Sequence, residues 1–288
     1  MSDLSSLETG QTNANAVLEV QISMRTPLWT GGIDGTCDRV HETGLIGSLR
    51  WWYEAIVRGL GGSACDPSQH SCGFSEERYR RSKAIDQRER LREAGLCDAC
   101  QIFGATGWRR RFRLEVVEDQ TKLVWTPPPD LLNVRPPGRS RGWFLPPGRM
   151  GRLTLRFIGE EKTLQMLAAL MRFLEEWGMI GAKPQLGYGV FRIENQGEVG
   201  ELARQWVWEE MGQGKPSPQW PDLRRFIFFR YCFHPSNSNW WLKVAKMVQR
   251  PEEKEKKRRK RKRKRISTIS TFLGGYSSHD PCGACPQK

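Results

Sequence analysis

Histidine is scarce in this chain, with four residues in 288. No Ser/His/Asp constellation and no His-rich metal spacing occur, so triad hydrolases and His-ligated catalytic metals have little to build on. Glycine-rich loops exist, but none is followed by Gly-Lys-Ser/Thr, which excludes the Walker phosphate loop, and the dinucleotide fingerprint is missing too. No apolar run approaches the ~18 residues that a membrane span needs. The opening residues, MSDLSSLETGQTNANA, are polar and hold no hydrophobic signal core. These absences predict a cytoplasmic protein with no membrane partner. Its eight cysteines are then reduced or metal-bound rather than disulfide-paired.

What the chain does have is positive charge. The formal net charge is +14, unevenly spread: residues 250–265 hold 12 Lys/Arg against 3 Glu, leaving the rest mildly basic. That balance points to nucleic acid or another anionic surface. An apolar content of 38% with 12 Trp is enough to build a core for one or two domains.

Thr26–Tyr53 is the most informative stretch. A Gly-rich loop (Gly31, Gly32, Gly35) follows an alternating segment in which Leu18, Val20, Ile22 and Met24 predict a strand over about 17–24. A polar segment follows (Cys37, Asp38, Arg39, His41, Glu42), and then GLIGSLRWW opens a helix over about 45–59 carrying Arg50. Glycines between a strand and a helix let backbone approach a ligand, and a helix N-terminus favours an anion. In the helix, Ile46, Leu49, Trp52, Tyr53, Ile56 and Leu60 share one face.

Residues 63–107 read as an insertion. Within it, Glu76–Ala94 is a charged helix with little apolar face, better explained as a solvated surface helix than as a nucleic-acid helix. Beyond the basic run Arg109, Arg110, Arg111, a second strand is expected at Phe112, Leu114 and Val116. A long Pro/Gly-rich loop over about 119–150 carries Trp125, Trp143 and Arg149. A third strand is expected at Leu153, Leu155 and Phe157, then an amphipathic helix Thr163–Trp177 with its stripe at Leu164, Leu167, Leu170, Met171 and Leu174. A second Gly-rich loop leads to a fourth strand at Gly189–Glu194. The order βαββαβ predicts an α+β, ferredoxin-like (RRM-like) domain over 16–196. Residues 1–15 are expected to be disordered. A partial second ferredoxin-like unit is expected over 197–249, from a helix at Leu202–Met211, a strand at Phe226–Phe233 and a helix at Trp240–Val248. A low-complexity basic segment (250–265) and a tail (266–288) complete the plan.

The strongest spacing signal is Cys65-x6-Cys72-x24-Cys97-x2-Cys100. A Cys-x2-Cys pair is a zinc half-site, and the wider pair completes four thiolate ligands, with His70 as an alternative fourth. A closed four-ligand site is structural, so zinc would staple the polar insertion, which apolar burial cannot hold. His279, Cys282 and Cys285 in the tail could form another half-site, though an incidental Cys-x2-Cys in a disordered end accounts for them better. In the second loop, Gly181, Gly187 and Gly189 permit close backbone approach, Lys183 can pair with a phosphate and Tyr188 can stack on a base. With Gly31, Gly32, Arg39, His41 and Arg50, these are the expected RNA contacts. The two loops are expected to converge near one end or face of the sheet. Asp34, Asp38, His41 and Glu42 could ligate a metal or supply a general base, but ordering the loop or contacting RNA explains them better.

The strings TPLWTGG, TGLIGSLRWWYEAIVRGLGG, ACDPS, LCDACQIFGATGWRRRFRL and GAKPQLGYGVFRI, in that order over about 18–195, resemble the RAMP superfamily. Within it they are most similar to the first RAMP subunits of type III-B CRISPR (Cmr) complexes. The resemblance implies a non-catalytic, RNA-binding subunit of an RNA-guided antiviral effector complex, with crRNA, target RNA and other RAMP subunits as partners. It maps the family's glycine-rich loop onto Gly181, Lys183, Gly187 and Gly189, and its helix-opening segment onto Gly44, Ile46, Gly47, Ser48, Leu49 and Arg50. It maps the insertion's cysteines onto Cys65, Cys72, Cys97 and Cys100. Related subunits cut target RNA with an aspartate after the first strand, the region of Asp34 and Asp38 here. An endoribonuclease using Asp34, Asp38 or His41 is thus the alternative, and a protein-only adaptor anchored by Trp125 and Trp143 is a third reading. The family usually carries a complete second unit, from which the short C-terminal third departs.

Overall fold

The computed structural model describes residues 16–66, 69–124, 146–208 and 221–229. All of them belong to one of the two units into which the chain divides, residues 1–126 with 146–233. The expectations for residues 1–15, for Trp125 and Trp143, for Trp240–Val248, for the basic segment and for His279, Cys282 and Cys285 lie outside the described residues.

Alternating apolar residues build the sheet. Strand β1 (Ala16–Met24) buries Leu18, Val20, Ile22 and Met24 and turns Glu19, Gln21 and Ser23 to the other face. Helix α1 (Glu42–Gly59) follows, buried along Leu45, Leu49, Tyr53, Ile56 and Val57. The insertion folds as three short helices, α2 (Glu76–Arg81), α3 (Gln87–Glu93) and α4 (Asp98–Phe103). Then come β2 (Phe112–Asp119), the paired short strands β3 (Lys122–Val124) and β4 (Gly148–Met150), and β5 (Arg152–Gly159). Helix α5 (Glu161–Trp177) buries its whole expected stripe, and β6 (Phe191–Ile193) and α6 (Gln196–Arg204) close the described succession.

The main sheet has four strands in the order β2-β5-β1-β6, and each neighbouring pair is antiparallel. The core lies on the face covered by α1 and α5, where Leu49, Tyr53, Leu167 and Leu170 meet Val20, Leu155 and Phe157. The other face presents Glu19 and Gln21 of β1, Arg113 and Glu115 of β2, and Arg152 and Arg156 of β5. Arg156 pairs with Glu19 at 2.7 Å and Arg113 with Glu115 at 2.6 Å. No aromatic side chain stands on that face of the four strands, so it does not offer the stacked-base platform of an RRM.

Four expectations change. The charged helix over 76–94 is two helices, because Ser82 turns to an extended conformation and Asp86 caps a new start by accepting from Arg88 N. The long loop after β2 begins and ends in β3 and β4, whose pairing shortens it at both ends. The helix expected at Leu202–Met211 ends at Arg204 and begins earlier, since Val199 is buried in the main core and α6 packs on α5. The strand expected at Phe226–Phe233 is not formed over its described part: Leu223–Arg225 is a 3-10 turn capped by Asp222, and Phe226–Phe229 are exposed.

Candidate functional site

The insertion is organised by cysteine. The Sγ atoms of Cys65, Cys72, Cys97 and Cys100 all lie within 4.8 Å of one another. Four thiolates around a tetrahedral zinc at ~2.3 Å would be separated by ~3.8 Å, so the cluster is of the right size for one such ion. Backbone N–H groups already point at the sulfurs: Cys65 N donates to Cys97 Sγ at 3.3 Å, and Cys97 N to Cys72 Sγ at 3.4 Å. Cys97 is the N-cap of α4, and a hydrogen bond from the Cys100 thiol, helped by backbone N–H groups, pulls its own thiol down to about 5 against the effect of burial. Burial pushes the Cys72 thiol up to about 11. His70 lines the same hollow but is exposed and stands outside the four-sulfur cluster.

Charged residues lock this cluster to the domain. On α1, Arg50, Glu54 and Arg58 are spaced by four and face the insertion. Arg50 donates to Glu54 at 2.8 Å, to Gly104 O at 3.1 Å and to Cys100 Sγ at 3.2 Å. Arg58 donates to Cys65 O at 2.7 Å. Asp98 has a fully buried carboxylate held by Arg88 at 2.7 Å, by Arg92 at 2.8 Å and by Ser63 N at 2.7 Å. Burial raises its pKa, but the two guanidiniums and Ser63 outweigh that and hold it at about 2.

The two Gly-rich loops do meet. Ala182 N donates to Trp29 O at 2.8 Å and Gly189 N to Pro27 O at 2.9 Å. Gly181 (φ +82) has no room for a side chain, since a Cβ would stand 2.7 Å from Leu28 and 2.8 Å from Trp29 O. Lys183, itself at φ +65, places its Nζ 4.3 Å above the Trp29 ring. Gly31 packs beside the same ring. Around this junction the polar loop is ordered from within. Asp34 accepts from Thr36 N and Oγ1, and the Thr36 N–H holds its carboxyl below the usual range. His41 Nε2 lies 2.7 Å from Asp38 Oδ1, which lowers the Asp38 pKa. Arg149 ties the loop to β4 by donating to Asp38 O at 2.7 Å.

Gly31, Gly32, Arg39, His41, Gly181, Lys183, Gly187 and Gly189 therefore lie in two loops joined through Pro27 and Trp29. Two expected contacts do not fit. Arg50 turns inward to the cysteine cluster, because its place on α1 aims it at Gly104 and Cys100. Tyr188 is 2% exposed and donates its hydroxyl to Pro146 O, so its ring is core and cannot stack on a base in this arrangement. Cys37 is likewise a core residue, with its thiol toward Leu28 O. Sequence reasoning missed Trp29, Glu54 and Arg58. The Glu54/Arg58 pairing was signalled by the Arg-x3-Glu-x3-Arg spacing on α1, while Trp29 gave only its place two residues before Gly31.

An α+β domain with an antiparallel sheet and an appended four-cysteine cluster is the class that these features define. The chain belongs to the RAMP superfamily, whose model matches residues 21–192. Among solved structures it is similar to Cmr1 from Pyrococcus furiosus in its apo form, with 18% identity and a TM-score of 0.39 over 65% of this chain. That match spans about half of the Cmr1 chain, 52%. Cmr6 from Pyrococcus furiosus is 16% identical, with a TM-score of 0.33, over 64% of this chain and 99% of that one. A chain of a type IV-B CRISPR complex is 15% identical, with a TM-score of 0.38, over 63% of this chain and 92% of its own. No curated protein matches. Among the described residues no helix is long and apolar enough to cross a membrane.

Proposed function

We propose that this chain is a non-catalytic, RNA-binding subunit of a type III CRISPR effector complex, contacting the crRNA 3′ region or target RNA. The observation that carries this reading is the junction of the two glycine loops, where Lys183 lies over Trp29 with Gly31 beside the same ring. Membership of the RAMP superfamily and the ferredoxin-like reading of 16–196 agree with it. Other RAMP subunits are the partners. Zinc held by Cys65, Cys72, Cys97 and Cys100 is its structural cofactor, and a closed thiolate set of this kind holds a fold together rather than activating water. Binding of single-stranded RNA should weaken with salt by a slope of about 0.7 per phosphate contacted. Lys183→Ala should lower that slope, and an unchanged slope and affinity would remove the glycine-loop face from the reading.

A second reading has one observation of its own. His41 beside Asp38 at 2.7 Å has the spacing of a general base and its orienting carboxylate. An RNA-cleaving enzyme would then yield a product lost in His41→Ala or Asp38→Ala. Incubation of single-stranded RNA with the chain, with and without Mg²⁺ or Mn²⁺, decides between the two.

A further inference from the structure

The basic run before β2 is unused by the glycine-loop face. β2 is the outermost strand of the sheet on its side among the described residues. Alongside its first residues runs a groove of about 680 Å³ lined by Arg109, Arg110, Arg111 and Arg113. Its floor is made by Phe112 and Leu114 of β2 and by Ile158 and Gly159 of β5. Glu160 is the one carboxylate lining it, and Arg111 faces that carboxylate at 3.4 Å.

Arg110, Arg111 and Arg113 are held in place yet keep donors to spare. Arg110 donates through Nε to Phe112 O at 2.7 Å and lies 5.3 Å from the Phe112 ring, using one of its five N–H groups. Arg113 meets Glu115 at 2.6 Å while its side chain stays 70% exposed. Arg109 is exposed and makes no hydrogen bond or ion pair with a described residue. Burial and the neighbouring charge of Arg109 both lower the Arg110 pKa. Phe112 and Leu114 are buried, so Arg113 between them points away from the core.

We propose that this arginine groove is a second nucleic-acid site, separate from the glycine loops, that takes the phosphodiester backbone of a single strand without reading its bases. Guanidiniums suit phosphate because their planar forks match its oxygens. Lack of base readout follows from the floor, where Phe112, the groove's aromatic residue, is buried and offers no face for stacking. An open sheet edge could instead pair with a protein strand, but arginines along it oppose such pairing and favour a polyanion.

The test uses the 288-residue chain and a thiouridine-bearing oligouridylate. Arg109→Ala/Arg113→Ala removes two exposed cations without touching the core, and thermal melting checks that the fold is kept. The magnitude of the salt slope should fall by about 1.4, and photo-adducts on the Phe112 segment should vanish. Arg109→Lys/Arg113→Lys should keep the slope. The basic run at 250–265 contributes equally to parent and variants, so the difference isolates the groove. Lys183→Ala, measured alongside, reports the glycine-loop face independently, so either site can fail alone. An unchanged slope with adducts retained elsewhere, or equal binding of a polyglutamate peptide, would overturn the proposal.

Discussion

Arg50 donates to Cys100 Sγ at 3.2 Å from a helix that the sequence assigned to RNA. The same guanidinium holds Glu54 and Gly104 O, so one side chain joins α1, the end of α4 and the sulfur cluster. Four thiolates around a divalent ion carry net negative charge, and a cation on one sulfur offsets part of it. Hydrogen bonds to the ligands of a metal tune its affinity.

Arg50→Ala should therefore weaken zinc retention by roughly 10- to 100-fold, read by competition with a chromophoric chelator. RNA affinity should change far less than in Lys183→Ala. A loss of RNA binding with zinc retention intact would return Arg50 to the role that the sequence gave it.

If the four sulfurs hold zinc, its removal should loosen the insertion before the sheet. The insertion's own apolar cluster is small, built on Leu91, Leu96, Cys65 and Cys100, whereas the main core runs from Leu18 to Val199. Chelation, or Cys97→Ser, should speed tryptic cleavage at Arg80–Arg92 while the fragments of the sheet persist. Equal cleavage rates with and without chelator would show that the sulfurs hold no structural ion.

Asp98 stands between Arg88 and Arg92 with no exposed side-chain surface. Asp98→Ala leaves two guanidiniums and Ser63 N without their acceptor, and because the arginines are partly exposed and can be hydrated the cost should be roughly 2–3 kcal/mol, below that of a wholly buried pair. Urea denaturation should show a loss of that order, larger than for Glu76→Ala, whose pair with Arg80 is exposed.

Gly187 and Gly189 separate backbone strain from steric clash. Both have positive φ, but a Cβ at Gly187 meets nothing within 4 Å, while one at Gly189 would stand 1.8 Å from Ile180 O. Gly187→Ala should cost about 1 kcal/mol, the left-handed penalty alone. Gly189→Ala should cost roughly 3 kcal/mol or more, because backbone must also move. Denaturation midpoints of the two variants check the difference.

Tyr188→Phe tests whether this residue is packing or recognition. Its buried hydroxyl donates to Pro146 O, so the change should lower stability by about 1 kcal/mol. RNA affinity should be unaltered. A marked fall in affinity at unchanged stability would mean that the ring leaves the core to meet a base.

Much of the fold was legible because its signals are local. The period of two at Leu18, Val20 and Ile22 and the helical stripe Leu164–Leu174 each fix an element from neighbouring residues alone, and those elements stand as expected. The charged run at 76–94 was misjudged although its signal was present: Ser75 and Asp86 are both capping residues, and each opens its own helix. The exposed run Phe226–Phe229 has strand-like composition but no described strand beside it, and composition does not supply a pairing partner.

The sequence by itself determined the order of the four strands of the main sheet and of the two helices that cover it, the four cysteines and the two glycine loops, because spacing and composition encode each of them directly. Only the tertiary structure decided which way Arg50 and Tyr188 face. The rotation of α1 against the insertion sends Arg50 to a sulfur, and the closure of β4 against the second loop buries Tyr188 under Pro146. Both depend on contacts between segments far apart in the chain, which no local period records. The same packing leaves Arg109–Arg113 at the start of an outer strand, around a groove open to a ligand.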